Sequence, residues 1–211
     1  MTVTRRWGPD HQRLDDDAAR RRLLEAASRC IIRRGNTEIR MAEVADEAAV
    51  ARSTVYRYFA TRDELLLGLV LARVDAAAAR WVAALQRPQD AASSIRELVL
   101  NPVAAVDDGD RLNRALYASE SKALASVLAL GAEPLVDVAC RHYAPLLEQW
   151  SADGQLYPDL DFREIVHWIN TATSFLLTPS WRYQPANLKL RFVNRYLLRA
   201  LLQREPSDED R

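Results

Sequence analysis

Glycine is scarce in this sequence, with six residues in 211, and no apolar run is long enough to cross a membrane. A membrane-spanning helix needs about 20 consecutive apolar residues, whereas the longest apolar run extends only from Leu65 to Ala72 and contains Gly68. Residues 1–17 also lack the apolar core that a signal peptide requires. We therefore expect a cytoplasmic protein that does not enter a membrane.

Cysteine and histidine are scarce as well, with two and three residues, which excludes several kinds of site. Cys30 and Cys140 belong to no CxxC motif or Cys/His cluster, so neither disulfides nor zinc are indicated. Glu164 and His167 share one face of a predicted helix, but a di-iron site needs a second such motif and two more glutamates. Neither a Gly-rich phosphate loop nor a G-x-S-x-G motif occurs. We expect no metal, no cofactor and no enzymatic activity.

Positive charge is unevenly distributed along the chain, although the formal net charge is zero. Residues 1–62 hold thirteen arginines against nine acidic residues, and the rest of the chain carries the compensating acidic excess. Attraction to phosphates depends on local charge rather than on the total for the chain. The N-terminal third is therefore the segment suited to a polyanionic partner.

The spacing of the apolar residues is close to 3.6 throughout, which predicts an all-α protein. Glycines and prolines stand where helices are expected to end, as at Gly35, Gly109, Gly131 and Gly154. Thr61 with Glu64, and Asp161 with Glu164, have the spacing of helix-capping boxes. We predict helices over about 18–34, 41–48, 52–59, 61–86, 90–105, 111–130, 134–152, 161–177 and 187–203.

The first three predicted helices are typical of a helix-turn-helix, in which the last helix enters the major groove of DNA. The third helix is too short to be stable alone. Val55 and Phe59 must therefore pack against the first two helices, which leaves the opposite, polar face of the third helix free.

Residues 41–65 read MAEVADEAAVARSTVYRYFATRDEL, with a Thr-x-Tyr-x-x-Phe pattern that ends at Phe59. This segment resembles the signature of the TetR family of transcriptional regulators, and the resemblance extends over about residues 18–70. The chain departs from the family pattern at Ala49, where glycine is usual in the turn. It departs also at Arg40 and Ala51, where helix-capping serine or threonine is usual, and each lost cap costs about 1 kcal/mol.

The resemblance implies a dimer that binds a near-palindromic DNA operator, with a small-molecule effector bound in the C-terminal domain. On this basis we predict a flexible arm (1–17), a helix-turn-helix domain (18–62), a larger helical effector-binding and dimerisation domain (63–205) and a disordered tail (206–211). Hydroxyl and guanidinium groups suit phosphate oxygens and guanine edges. The predicted DNA-contacting residues are Arg52, Ser53, Thr54, Tyr56, Arg57, Tyr58 and Arg62.

Aromatic and apolar residues in the C-terminal half suggest both a ligand cavity and a dimer interface. The predicted ligand-binding residues, for a small hydrophobic or aromatic effector, are Tyr117, His142, Tyr143, Trp168 and Asn170. The resemblance implies a homodimer through the last two long helices. Their apolar stripes are Ile165, Trp168, Ile169, Ala172, Phe175 and Leu176, then Leu190, Val193, Leu197 and Leu201.

A repressor relieved or retuned by such an effector is the preferred interpretation. The alternatives are a DNA-binding dimer without effector control and a helical enzyme. An open cavity in the C-terminal domain would favour effector control. A solidly packed core would favour the DNA-binding dimer without effector control. At the N-terminus, Arg5, Arg6 and Arg13 around Trp7 are interpreted as part of the flexible arm, with insertion into the minor groove as the alternative.

Overall fold

The computed structural model describes residues 9–84, 90–107, 111–116 and 122–203, and these confirm the all-α class. The helices are α1 (Pro9–Arg34), α2 (Met41–Glu47), α3 (Arg52–Tyr58), α4 (Arg62–Ala84), α5 (Ala91–Asp107), α6 (Arg111–Leu116), α7 (Lys122–Ala152), α8 (Phe162–Leu176), α9 (Pro179–Arg182), α10 (Ala186–Phe192) and α11 (Arg199–Leu201). A π-helical segment, Val193–Leu198, joins α10 to α11 without a break. None of the helices in these ranges has the length and apolar character that a bilayer crossing would need.

Helices α1, α2 and α3 pack around one hydrophobic core, which we call the N-terminal core. Val55 and Phe59 are almost completely buried, at 0% and 1% exposure. They contact the predicted apolar stripes of α1 and α2, namely Leu23, Ala26, Ala27, Cys30 and Ile31, and Met41, Val44, Ala45 and Ala48. Burial of a side chain such as Phe59 stabilises the fold by about 1.5–3 kcal/mol. These two anchors fix the orientation of α3 and leave its polar face outside.

The turn between α2 and α3 contains an alanine in a left-handed conformation. Ala49 has φ of +51°. The N–H of Ala49 donates to the carbonyl of Asp46 at 3.1 Å, and the N–H of Val50 donates to the carbonyl of Ala45 at 3.0 Å. These two bonds form a Schellman motif, in which the left-handed position is usually glycine. The sequence departure noted at Ala49 is therefore a point of local backbone strain.

Ala49→Gly is expected to raise the free energy of unfolding by about 1 kcal/mol, because a left-handed conformation costs an L-residue about 1–2 kcal/mol. Chemical denaturation of the two proteins measures this difference. Ala79→Gly, at an exposed position of helix α4, provides the matched control, because loss of helix propensity there should lower stability by about 1 kcal/mol. The same sign of change at both positions would contradict the assignment of strain to Ala49.

Helix α1 begins at Pro9, whereas the apolar pattern predicted a start near Ala18. Proline suits the first turn of a helix, where its missing N–H would have no intrahelical partner. The extension was missed because its sequence is mostly polar and shows no apolar stripe. Residues 9–17 are therefore helical rather than a flexible arm. Residues 1–8, with Arg5, Arg6 and Trp7, lie outside the described residues, as does the predicted tail 206–211.

Helix α4 links the N-terminal core to a second core in the C-terminal half. The hydroxyl of Thr61 accepts the N–H of Glu64 at 3.1 Å, and the Glu64 carboxylate accepts the N–H of Ala60 at 2.8 Å, so the helix start is capped as predicted. Leu65 to Val70 lie against the N-terminal core, whereas Ala78 belongs to the second core. The domain boundary predicted at residues 62 and 63 thus falls in the first turn of α4, and it stays a prediction.

Helix α7 is one helix where the sequence suggested a break. We expected Gly131 and Pro134 to separate helices over 111–130 and 134–152, but α7 continues through both residues. A proline inside a helix costs about 3 kcal/mol. Packing against α4 and α8 offsets this cost. The buried stripe on α7 is Val136, Ala139, Tyr143, Leu147 and Trp150.

The last helices place their apolar residues on two opposite sides. Most of the two predicted dimer stripes is buried in the second core of the same chain, which corrects that prediction for Ile165, Ile169, Ala172, Leu176, Val193, Leu197 and Leu201. Trp168 and Phe175, seven residues apart on α8, point outward with 58% and 39% exposure. Leu190 is also exposed. The wider π-helical turn changes the register along the last helix, which the sequence pattern did not indicate.

Candidate nucleic-acid interface and cavity

The polar face of α3 is open to solvent. Arg52, Ser53, Tyr56 and Arg57 are exposed, and Thr54 and Tyr58 are half-buried. Six of the seven predicted DNA-contacting residues therefore lie on this helix, four of them exposed and two half-buried, while Val55 and Phe59 face the core. The arrangement follows from the helical period, because the two anchors occupy one side only.

Two arginines on this face are held by tyrosines rather than by carboxylates. Arg52 Nη2 donates to Tyr56 Oη at 3.2 Å, and this bond raises the pKa of Arg52. Arg57 Nη2 donates to Tyr58 Oη at 2.8 Å, and its guanidinium carbon lies 4.8 Å from the centre of the Tyr58 ring. Neither arginine has a carboxylate partner among the residues that the structure describes. Their positive charge is therefore available to an incoming polyanion.

Other arginines of the N-terminal third are neutralised away from α3. Arg29 and Arg33 contact Glu47 at 2.6 and 2.9 Å, and Arg34 forms an ion pair with Glu43. The bond from Arg33, followed by that from Arg29, lowers the pKa of Glu47. These pairs join α1 to α2. These three arginines are thus paired with carboxylates away from α3, whereas within the described part of the chain Arg52 and Arg57 on α3 are not.

Arg62, the seventh predicted DNA-contacting residue, is the first residue of α4 and has acidic neighbours. Its Nη1 lies 3.1 Å from Glu38 Oε2, and its Nε lies 3.5 Å from Asp63 Oδ1. Contact with a phosphate would require Arg62 to leave Glu38. Sequence reasoning missed this ion pair, because Glu38 belongs to the connection before α2 and no helical spacing relates it to Arg62.

Asp16 is a second residue that the sequence did not indicate. Tyr58 Oη donates to Asp16 Oδ1 at 2.7 Å, which connects the start of α1 to the end of α3. The acidic run at residues 15–17 was visible in the sequence, but only the folded chain brings Asp16 beside Tyr58.

A cavity of about 740 Å³ lies between α1, α4, α5, α6, α7 and α8, and its surface is mostly apolar. Tyr143 and Asn170, two of the residues predicted to bind a ligand, line it. Burial raises the pKa of Tyr143 to about 12, so the phenol is neutral, and its ring packs edge-on against Trp81 at 5.9 Å. Asn170 Nδ2 is buried without a hydrogen-bond partner among the described residues. A volume of this size suits a small organic ligand.

The other predicted ligand-binding residues do not line the cavity or cannot be placed. His142 Nε2 lies 2.9 Å from Asp75 Oδ1, which lowers the pKa of Asp75 and ties α7 to α4. Trp168 is on the outer surface of α8. Tyr117 lies outside the described residues. The sequence showed which residues are aromatic or polar but not which helix face meets the cavity, and the assignment of these residues to a ligand stays a prediction.

His167 and Glu164 are both exposed on α8. Among the described residues they belong to no group of three or more potential metal ligands. The structure therefore adds no partner to the Glu-x-x-His spacing.

Comparison with known proteins agrees with this geometry. Residues 23–69 match the family described as bacterial regulatory proteins, tetR family. No curated protein matches the chain. The fold is similar to that of the transcriptional repressor QsdR of R. erythropolis, from the TetR family, at 20% identity and a TM-score of 0.60, covering 80% of this chain and 87% of QsdR.

A second similar structure is NalD, the secondary repressor of the MexAB-OprM multidrug efflux pump in Pseudomonas aeruginosa. It is 18% identical with a TM-score of 0.52, and the alignment covers 90% of this chain and 98% of NalD. At these identities the similarity concerns the fold. The family match is confined to the helix-turn-helix segment, residues 23–69, and the larger C-terminal part of the chain shares the helical fold of these two structures.

Proposed function

We propose that this protein is a cytoplasmic, homodimeric repressor that leaves its operator when a small hydrophobic or aromatic effector occupies the cavity. The observation that carries effector control is the cavity of about 740 Å³. A solidly packed C-terminal core would have favoured a dimer without an effector. QsdR and NalD are both described as repressors, which supports the same direction of control for this chain.

The outer face of α3 supports the DNA-reading part of the proposal. Arg52 and Arg57 carry guanidinium groups that can bond two acceptors on a guanine edge, while Thr54 and Tyr56 offer hydroxyls to phosphates. Ser53 and Tyr58 take either role. Arg62 contacts a phosphate once its guanidinium has left its ion-pair partner Glu38. One short helix reads few base pairs, so two copies are needed for a specific operator.

The outward aromatic residues of the last helices support dimerisation. Phe175, Trp181 and Phe192 form a group with ring centres 5.0 to 5.2 Å apart, and Tyr196 lies 5.6 Å from Phe192. Together with Trp168 they form what we call the outer aromatic surface. Tyr196 and Trp168 are 64% and 58% exposed. An exposed aromatic patch of this kind marks an interaction site, and its position, from α8 to the π-helical segment, suits a second copy of the chain.

The position of the cavity also suggests how a bound effector influences the DNA-binding helices. Arg21, Leu24, Glu25 and Ser28 of α1 line it together with residues of α8. A bound ligand therefore touches the helix that packs against α2 and α3. Small movements of α1 are passed to the reading face because the N-terminal core is closely packed.

The test begins with selection of an operator from a pool of random duplexes. The retained duplex is then exposed to a panel of small apolar and aromatic compounds, with binding followed by thermal shift and release of DNA by fluorescence anisotropy. We expect at least one compound both to bind and to release the duplex. Ala77→Trp, which places a large side chain at the cavity wall, should weaken that response about 10-fold or more.

Ala79→Trp is the matched control, because Ala79 is on the same helix but does not line the cavity. It should leave the response unchanged. Effector control is wrong if compounds bind without any effect on the duplex, or if Ala77→Trp and Ala79→Trp respond alike. If the wild-type protein selects no duplex, the proposal that it is a DNA-binding regulator is wrong.

A further inference from the structure

We propose that Asp16 is a positioning residue for DNA recognition, acting through Tyr58 to hold the guanidinium of Arg57 at the outer face of α3. This inference rests on the proposed reading role of that face. It adds to the interface a residue of α1, a helix that otherwise supplies packing and ion pairs to α2.

The geometry is a continuous chain of three groups. Arg57 Nη2 donates to Tyr58 Oη at 2.8 Å, and Tyr58 Oη donates its own proton to Asp16 Oδ1 at 2.7 Å. The guanidinium also lies over the Tyr58 ring, at 4.8 Å from its centre. The phenol oxygen acts once as donor and once as acceptor, so both bonds form together. Charged groups stand at both ends, which strengthens hydrogen bonds of this kind.

Two members of this hydrogen-bonded chain, Tyr58 and Asp16, belong to helices that pack in the N-terminal core. Tyr58 is half-buried and packs against the N-terminal core. Asp16 is on the helix whose Leu23 and Leu24 belong to that core. Packing therefore restrains the phenol, and the bond to Tyr58 holds the carboxylate beside it. Arg57 and Asp16 are the two exposed ends of this assembly, and the half-buried Tyr58 is its centre.

Fixing Arg57 matters because a free arginine has many rotamers. Ordering such a side chain on binding lowers affinity, and a side chain already held near its bound position loses less freedom. A guanidinium aimed in one direction also discriminates better between base edges. Loss of Asp16 should therefore reduce the base preference at the position that Arg57 reads, rather than binding to all DNA alike.

Asp17 provides the matched control. It is exposed on α1 beside Asp16 and makes no hydrogen bond or ion pair with any residue that the structure describes. Removal of either carboxylate deletes one negative charge near the duplex, which raises general affinity for phosphates. Only the removal of Asp16 also breaks the contact with Tyr58.

The experiment measures binding of the full chain to its selected duplex and to versions with single base substitutions. The proteins are wild type, Arg57→Ala, Tyr58→Phe, Asp16→Ala, Asp16→Asn and Asp17→Ala. We expect Arg57→Ala to flatten the preference at one position in each half-site. Tyr58→Phe and Asp16→Ala should flatten the same position and weaken binding to the selected duplex about 3- to 10-fold.

Asp16→Asn keeps an acceptor for the Tyr58 hydroxyl and should retain the preference of the wild type. Asp16→Ala combined with Tyr58→Phe should be no weaker than either single variant, because both break one chain. Thermal unfolding midpoints check that the Asp16 variants remain equally folded.

The proposal is overturned if Asp16→Ala matches Asp17→Ala, if it alters a different base position, or if its effect adds to that of Tyr58→Phe. An increase in base preference on Tyr58→Phe would also overturn it, because the chain would then restrain Arg57 from DNA. A wild type without preference for any duplex refutes the DNA-reading proposal instead, which keeps the two failures distinct.

Discussion

Replacement of Trp168 and Tyr196 together by glutamate is expected to produce a monomer and to lower operator affinity at least about 100-fold. These side chains are the most exposed members of the outer aromatic surface, at 58% and 64%. A carboxylate buried in an apolar interface without a partner loses its hydration, which costs several kcal/mol. A monomer binds one half-site only and loses the combined selectivity of two reading heads.

Sedimentation equilibrium measures the oligomeric state, and fluorescence anisotropy measures affinity for the selected duplex. Tyr157→Glu is the control, since Tyr157 is 40% exposed and lies in the connection before α8 rather than on the outer aromatic surface. It should remain dimeric with unchanged affinity. A double glutamate variant that is still a dimer, or a monomer that binds as tightly as the wild type, would refute this assignment of the interface.

Gly68→Val is expected to lower the free energy of unfolding by about 3 kcal/mol and to weaken DNA binding. A Cβ at Gly68 would lie 2.9 Å from Phe59 Cε1, 3.2 Å from Arg20 Nη2 and 3.4 Å from Leu24 Cδ2. Phe59 is the anchor of α3 and is 1% exposed, so its ring has no free space to enter. The valine therefore displaces the residue that orients the reading face. Urea denaturation and duplex binding measure the two effects.

A double-mutant cycle separates this clash from a general effect of changing a helical glycine. Gly68→Ala alone gains about 1 kcal/mol in helix propensity but overpacks Phe59. In the Phe59→Leu background the ring is absent, so Gly68→Ala should be less destabilising than in the wild type, or stabilising. Equal effects of Gly68→Ala in both backgrounds would show that contact with Phe59 is not the reason for glycine at this position.

Local features of the chain were well predicted from the sequence. The apolar stripes of α1 and α2, the anchors Val55 and Phe59 and the cap at Thr61 are in place. Each depends on interactions within a few residues along the chain or on a helical period. The sequence also marked Ala49 as a departure from the glycine usual in this turn, and the structure shows the positive φ there.

Errors arose where distant parts of the chain decide the outcome. Gly131 and Pro134 were expected to separate two helices, yet packing of α7 against α4 and α8 keeps the helix continuous. Trp168 and His142 were assigned to the ligand site by residue type, but one faces outward and the other contacts Asp75. The predicted dimer stripes mixed outward residues with core residues such as Ile165 and Val193.

The sequence by itself determined an all-helical chain, a helix-turn-helix near the N-terminus and the side of α3 that remains free. These properties follow from periodicity and short-range contacts, which a linear pattern contains. Only the tertiary structure decided which arginines keep their charge available, which aromatic residues face outward and where the cavity lies. Those outcomes depend on pairs such as Asp16 with Tyr58 and Glu38 with Arg62, whose members are distant in sequence and meet only when helices pack.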